Sequence, residues 1–166
     1  MLKLVAMGDR PWTYASLAEQ LGMSVSQLHS AIQRALAAGL AVPQDDTIVP
    51  NRPALREFIL HGLKYVFVPE RGGLTRGMPT AHAAPPLDAH FPDSVEPPPV
   101  WPDPEGNVRG MAFAPLYKLA PRAARADPAL YELLVLVDAI RGGRARERAI
   151  AADELGARLK SHEPAT

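Results

Sequence analysis

The sequence predicts an α+β fold, and three observations carry that reading. Apolar residues recur at three- and four-residue steps over residues 14–21 and 24–37. Two short runs, Leu40-Ala41-Val42 and Thr47-Ile48-Val49, then flank a polar turn containing Asp45-Asp46. A proline-rich middle, with nine of the chain's 18 prolines between Pro79 and Pro104, separates these from a second helical stretch. The expected organisation is an N-terminal unit over residues 1–63, a strand plus Gly/Pro-rich acidic segment over 64–108, and a mostly helical region over 109–166. The middle segment is expected to be partly extended.

Leu2, Leu4, Val5 and Met7 suggest a short first helix that exits through Gly8-Asp9-Arg10-Pro11. Thr13 is an N-cap for a second helix, Tyr14 to Leu21, with Leu17, Ala18 and Leu21 on one face. Gly22 ends it through a left-handed backbone. Ser24 opens a third helix, and Gln27 three residues later has the capping-box spacing. Leu28, Ile32, Ala35 and Leu36 form its apolar stripe until Gly39 stops the run. Leu40-Ala41-Val42 and Thr47-Ile48-Val49 read as a hairpin. Asn51 and Pro53 open a helix running to His61, and Tyr65-Val66-Phe67-Val68 reads as a strand bounded by Pro69. Phe91, Val100 and Trp101 are candidates to pin the proline-rich segment to the body, and a further strand is expected within 108–118. Asp127 caps a helix carrying Pro128 in its first turn. Gly142-Gly143 interrupts it, and a last helix runs from Arg144 to about Lys160.

Composition narrows the function classes. The 166 residues hold 18 Lys+Arg and 18 Asp+Glu, which excludes a histone-like coat but not a locally basic helix. The absence of cysteine excludes disulfide scaffolds, Cys-based metal sites and thiol catalysis. No apolar run approaches the ~18 residues of a membrane span. Asp9 and Arg10 cut short any signal-peptide pattern at the start. The expectation is a cytoplasmic protein with no membrane partner.

Leu17 and Leu21 must meet Leu28, Ile32 and Leu36 across a tight turn, with small Ala18 where the helices cross. The polar positions left over on the third helix are Ser26, Gln27, His29, Ser30, Gln33 and Arg34, groups suited to base edges and phosphates. Through Leu17-Ala18, Leu21-Gly22-Met23-Ser24 and Ala38-Gly39-Leu40, residues 2–63 resemble the winged helix-turn-helix regulators of bacterial transcription, in the broad MarR-like group. The resemblance implies a recognition helix over residues 24–37 that enters the major groove, and a wing over 41–50. The wing departs from the pattern in carrying Asp45 and Asp46 at its tip, where acids repel phosphate. The DNA-binding residues expected on this basis are Ser24, Ser26, Gln27, His29, Ser30, Gln33 and Arg34, with Arg52, Arg56 and Arg76 as flanking contacts. Double-stranded DNA is the expected partner and no cofactor is expected.

Beyond residue 63, Arg71-Gly72-Gly73-Leu74-Thr75-Arg76-Gly77 lacks the Gly-Lys-Ser/Thr ending of a phosphate loop and reads either as a flexible basic loop that touches DNA or as a plain surface turn. Arg141, Arg144, Arg146 and Arg148 form the densest positive run, either an accessory basic patch or a face paired with the acidic 88–105 segment. Leu130 to Ile140 is apolar nearly all round, so it either packs within its own core or covers a partner, and homodimerisation fits it. The only carboxylate–imidazole group, His82, Asp88, His90 and Asp93, has no metal-ligand spacing. Ser24 is a cap rather than a nucleophile, so the expectation is no enzyme. The leading function is a sequence-specific, dimeric transcriptional repressor. The alternative is an antitoxin-like module that binds a partner protein through its proline-rich and C-terminal regions; the C-terminal stretch resembles regulators associated with nucleotidyltransferase toxin-like proteins.

Overall fold

Capping residues set where the first helices begin. In the computed structural model, which describes residues 1–92 and 96–160, α1 (Leu2–Met7), α2 (Tyr14–Leu21) and α3 (Val25–Ala37) follow one another closely. The Thr13 hydroxyl accepts from the Ser16 N–H while Ser16 accepts from the Thr13 N–H. Ser24 and Gln27 make the same reciprocal pair at the start of α3, at 3.1 and 2.9 Å. Each such cap stabilises its helix by about 1 kcal/mol. Between them Gly22 sits at φ 69, where a Cβ would also lie 2.7 Å from a Leu119 methyl. Leu4, Met7, Leu17, Ala18, Leu28 and Ile32 bury one face of all three helices in a common core.

The hairpin pairs β1 (Ala41–Gln44) with β2 (Thr47–Pro50), Gln44 opposite Thr47, so the turn is Asp45-Asp46 alone. Asn51 then joins three parts: its side-chain oxygen caps α4 (Arg52–Glu57) at the Ala54 N–H, and its amide donates to Gly39 O at the end of α3.

Two expectations fail here. Tyr65-Val66-Phe67-Val68 is not a strand: α4 continues through a π-helical turn (Phe58–Gly62) into α5 (Leu63–Val66). Leu55, Ile59 and Leu63 recur every four residues and dock into the main core, which outweighs the strand preference of four exposed residues. Nor is Arg71–Gly77 a loop: β3 (Arg71–Pro79) pairs antiparallel with β4 (Pro99–Pro102) and with β5 (Val108–Phe113). β4 and β5 pair in parallel, closing a three-stranded barrel. Its glycines admit close strand approach, since a Cβ at Gly77 would lie 2.0 Å from Trp101 O. Val100 and Trp101 do pin the proline-rich segment, both fully buried.

A short helix, α6 (Ala120–Ala126), precedes α7 (Pro128–Gly142) and α8 (Ala145–Lys160). Asp127 caps α7 by accepting from the Leu130 N–H. One flank of α7 meets Ala151, Leu155 and Leu159 of α8 together with Val5, Leu55, Ile59 and Leu63. On the other flank, Leu130 and Leu134 meet Trp101, Ala120 and Ala124. The all-round apolar character of α7 is therefore satisfied within the chain, and this helix offers no open face to a second copy. The largest core cluster runs continuously from the N-terminal helices to the C-terminal ones.

α7 also carries a buried polar knot. Asp138, 1% exposed, accepts from Thr80 Oγ1 at 2.7 Å, Trp101 Nε1 at 2.6 Å and Arg141 Nε at 2.8 Å. Burial pushes its carboxyl up, while Arg141, Thr80 and Trp101 pull it back. Arg141 further donates to Phe67 O and Ala114 O and lies over the Phe113 ring. The knot ties β4 and the residues that directly follow α5, β3 and β5 to one helix.

Candidate nucleic-acid interface

α3 turns its apolar stripe inward and leaves Ser24, Ser26, Gln27, His29, Ser30, Gln33 and Arg34 exposed. Ser26, Gln27, Ser30 and Arg34 line one side of a cleft of about 640 Å³. Their availability differs. The Gln27 side-chain oxygen is taken by the cap, leaving only its amide hydrogens to donate outward. Ser24 is likewise a capping group. His29 packs against Tyr14, ring centroids 5.4 Å apart. Ser26, Ser30, Gln33 and Arg34 have no side-chain partner among the described residues, so they are the uncommitted polar groups of this face.

The flanking arginines do not gather round it. Arg52 is half-buried and donates to Leu159 O at the end of α8, a tie inside the molecule. Arg56 is exposed but lies beside Gly156 of α8. Arg76 is on the barrel, directly across β5 from Arg109.

The C-terminal arginine run is not one patch. Arg141 is 6% exposed and belongs to the Asp138 knot. Arg144 meets both oxygens of Glu96, at 2.7 and 2.8 Å, and Arg146 stacks over Phe91. Arg148 alone is exposed without a partner among the described residues. Arg125 likewise pairs with Asp103 and Glu105, so the acidic middle is neutralised largely from the C-terminal helices. Of the carboxylate–imidazole group, His82 lies 3.5 Å from Glu147, and Asp93 falls outside the described residues.

The cleft's other wall is Tyr117, Lys118 and Leu119, from the link between β5 and α6. Lys118 is exposed and gives the cleft a second cation besides Arg34. Nothing in the sequence pointed to these residues: they are far from α3 along the chain, and only the docking of α6 beside α2 brings them there.

Adjoining the cleft is an open apolar pocket of about 430 Å³, lined by α1, α3, the α4–α5 helix and α7, with Arg34 and Tyr117 among the residues shared between the two. The Tyr117 hydroxyl oxygen is buried and has no hydrogen-bond partner among the described residues. Burial pushes that hydroxyl up to about 12, so it stays protonated at neutral pH. Lys3, also on the pocket wall, is held by Asp127 at 2.5 Å. Burial alone would raise the Asp127 carboxyl, but the bonds from Lys3 and from the Leu130 N–H outweigh it and hold it below the usual range.

Among the described residues no helix is long and apolar enough to cross a membrane, and no group of three or more His, Asp and Glu side chains is disposed to hold a metal ion. Set beside family models, curated proteins and solved structures, the chain finds no match in any of the three.

Proposed function

We propose that this chain is a cytoplasmic, sequence-specific DNA-binding repressor whose N-terminal residues act as a winged helix-turn-helix. α3 enters the major groove and the β1–β2 hairpin serves as the wing. The observation that carries the reading is the strip Ser26–Ser30–Gln33–Arg34, exposed and uncommitted on a helix whose start is rigidly capped. Arg34 supplies a fork of donors for guanine or phosphate, and the serines and Gln33 supply shorter polar contacts. Lys118 contributes a phosphate contact from the facing wall. Two copies on two half-sites fit the way such helices read DNA. Repression requires only occupancy of a promoter and no catalytic step.

The test is titration of a selected duplex against a scrambled one at fixed salt. Arg34→Ala weakens the specific duplex by about 1–3 kcal/mol if the side chain meets a base. Equal loss on both duplexes makes it a phosphate contact, and no loss on either overturns the reading.

A second reading has its own observation. Leu74, Arg76, Arg109 and Met111 share one outward face of the barrel, all exposed, and the two arginines have no partner among the described residues. Like charges directly opposite are unfavourable in a sheet, so this face suits an acidic partner protein. Arg76→Glu with Arg109→Glu abolishes such binding and spares DNA binding.

A further inference from the structure

We propose that the cleft at the Arg76–Arg109 end of the barrel binds a phosphorylated side chain of a partner protein. This deepens the acidic-partner reading above and rests on it for the partner; the α3 face plays no part.

Arg76 of β3 stands directly across from Arg109 of β5, and Leu74 directly across from Met111. Both arginines are exposed, and neither has a partner among the described residues. Like charges set opposite each other cost a sheet stability, and a bound anion removes that cost. The same two arginines line a cleft of about 380 Å³ with Leu74, Thr75, Asn107 and Val108. No carboxylate lines it, and the Asn107 carboxamide adds donors to the two guanidinium forks.

An acid of this chain lies close to the pair and is engaged elsewhere. The Asp103 N–H donates to Arg76 O at 3.2 Å, so the two backbones touch. Yet the Asp103 carboxylate pairs with Arg125 of α6, and so does Glu105. Arg125 thus takes up both acids of the β4–β5 link and leaves the arginine pair uncompensated.

Two facing cations select the anion. A carboxylate or a phosphodiester brings a single negative charge. A phosphomonoester brings about −1.5 to −2 near neutrality, on three acceptor oxygens. It matches the charge of the pair and accepts from both forks at once. Leu74 and Met111, 54% and 38% exposed, select the source. They lie two residues along each strand from the arginines, about 7 Å away. An extended peptide sets side chains two residues apart at the same spacing, so an apolar residue there covers them. A small phosphorylated molecule leaves them bare.

The test is calorimetric titration of the full chain with a blocked pentapeptide, leucine-alanine-phosphoserine-alanine-leucine, at low salt. One peptide binds per chain, and the same peptide with aspartate for phosphoserine binds at least tenfold more weakly. Affinity rises about tenfold from pH 5 to pH 7, because the second phosphate proton leaves at about pH 6. No histidine or carboxylate lines the cleft to add to that change. Arg76→Gln and Arg109→Gln each weaken binding about tenfold. Neither lowers the thermal midpoint, since each relieves the cross-strand repulsion. Arg148→Gln, an exposed arginine on α8, changes nothing.

Unchanged binding in the Arg76 and Arg109 variants, a loss in the Arg148 variant, or an affinity independent of pH each overturns the site. Equal binding of the aspartate peptide overturns the phosphoryl specificity and leaves the acidic-partner reading standing. Binding of neither peptide overturns both. Phenyl phosphate binding as tightly as the peptide overturns the protein source. Displacement of the peptide by a DNA duplex, lost in the Arg76 and Arg109 variants, gives this face to DNA phosphates and overturns the proposal.

Discussion

Replacing Asp138 by Asn removes one charge and converts one acceptor oxygen into a donor, with almost no change in volume. Three donors converge on this carboxylate: Thr80 and Trp101 on Oδ2, Arg141 on Oδ1. If the carboxamide oxygen stands where Oδ2 stood, its NH2 faces the Arg141 N–H. In the flipped orientation the NH2 faces the indole N–H of Trp101, which cannot accept. Either way one buried donor is orphaned, about 1–3 kcal/mol, and a charge-assisted bond worth about 1.5–3 kcal/mol is lost. The total, about 3–5 kcal/mol, matches the loss seen when one member of a buried ion pair is removed. Urea unfolding followed by tryptophan fluorescence reads this directly. With a slope of about 2 kcal/mol/M, the midpoint falls by about 2 M. Asp138→Leu combined with Arg141→Met loses less than the sum of the two single changes, because the pair is coupled. A midpoint for Asp138→Asn indistinguishable from the parent's, or strict additivity in the double variant, would refute the role assigned to the knot.

Gly22→Ala places a Cβ at positive φ and against Leu119; a loss of about 1–2 kcal/mol, read as a thermal midpoint lower by about 4 °C, is expected, and an unchanged midpoint contradicts it. Lys3→Met removes the bond that holds Asp127 low. Because that carboxyl's folded pKa is depressed, its stabilisation is fully present above the ordinary aspartate value of ~3.9 and is lost as pH falls through the folded value. The stability gap between Lys3→Met and the parent is therefore widest at pH 7 and closes in acid, as urea midpoints across that range will show; a gap independent of pH contradicts it. Asp46→Lys with Asp45→Asn, which keeps a residue tolerant of φ 49 at the turn, strengthens duplex binding. It also steepens the dependence of log K on log salt by about 1, whereas an unchanged slope means the hairpin lies off the duplex.

The elements most legible in the sequence were those set by local chemistry. Thr13, Ser24, Asn51 and Asp127 all cap the helices expected of them, because a side-chain oxygen next to free N–H groups acts within one turn of chain. Gly22 stops α2 by its backbone alone. What escaped reading depended on contacts distant in sequence. Tyr65–Val68 carries strand-favouring side chains, yet its conformation follows from Leu63 and Ile59 reaching α7. The glycines of Arg71–Gly77 look like loop residues until Gly77 meets the Trp101 backbone across β4. Ala120–Ala126 had a local signal, Pro121 in a helix first turn, hidden in an otherwise featureless stretch. In the candidate site, α3's own residues were readable from its period. Tyr117 and Lys118 were not, since no sequence pattern links them to α3. Of the basic run at 141–148, pairing with the acidic segment was legible and holds for Arg144, which meets Glu96, whereas the burial of Arg141 was not, because charge in sequence says nothing of burial.

The central claim is that the exposed face of α3 reads DNA. Selection of bound fragments from genomic duplex DNA by the purified chain, near 0.1 M salt, tests it most directly. The prediction is an enriched motif bound ~10³-fold more tightly than its scramble, with Arg34→Ala erasing that preference. Weak binding that ignores sequence and vanishes as salt rises would contradict it.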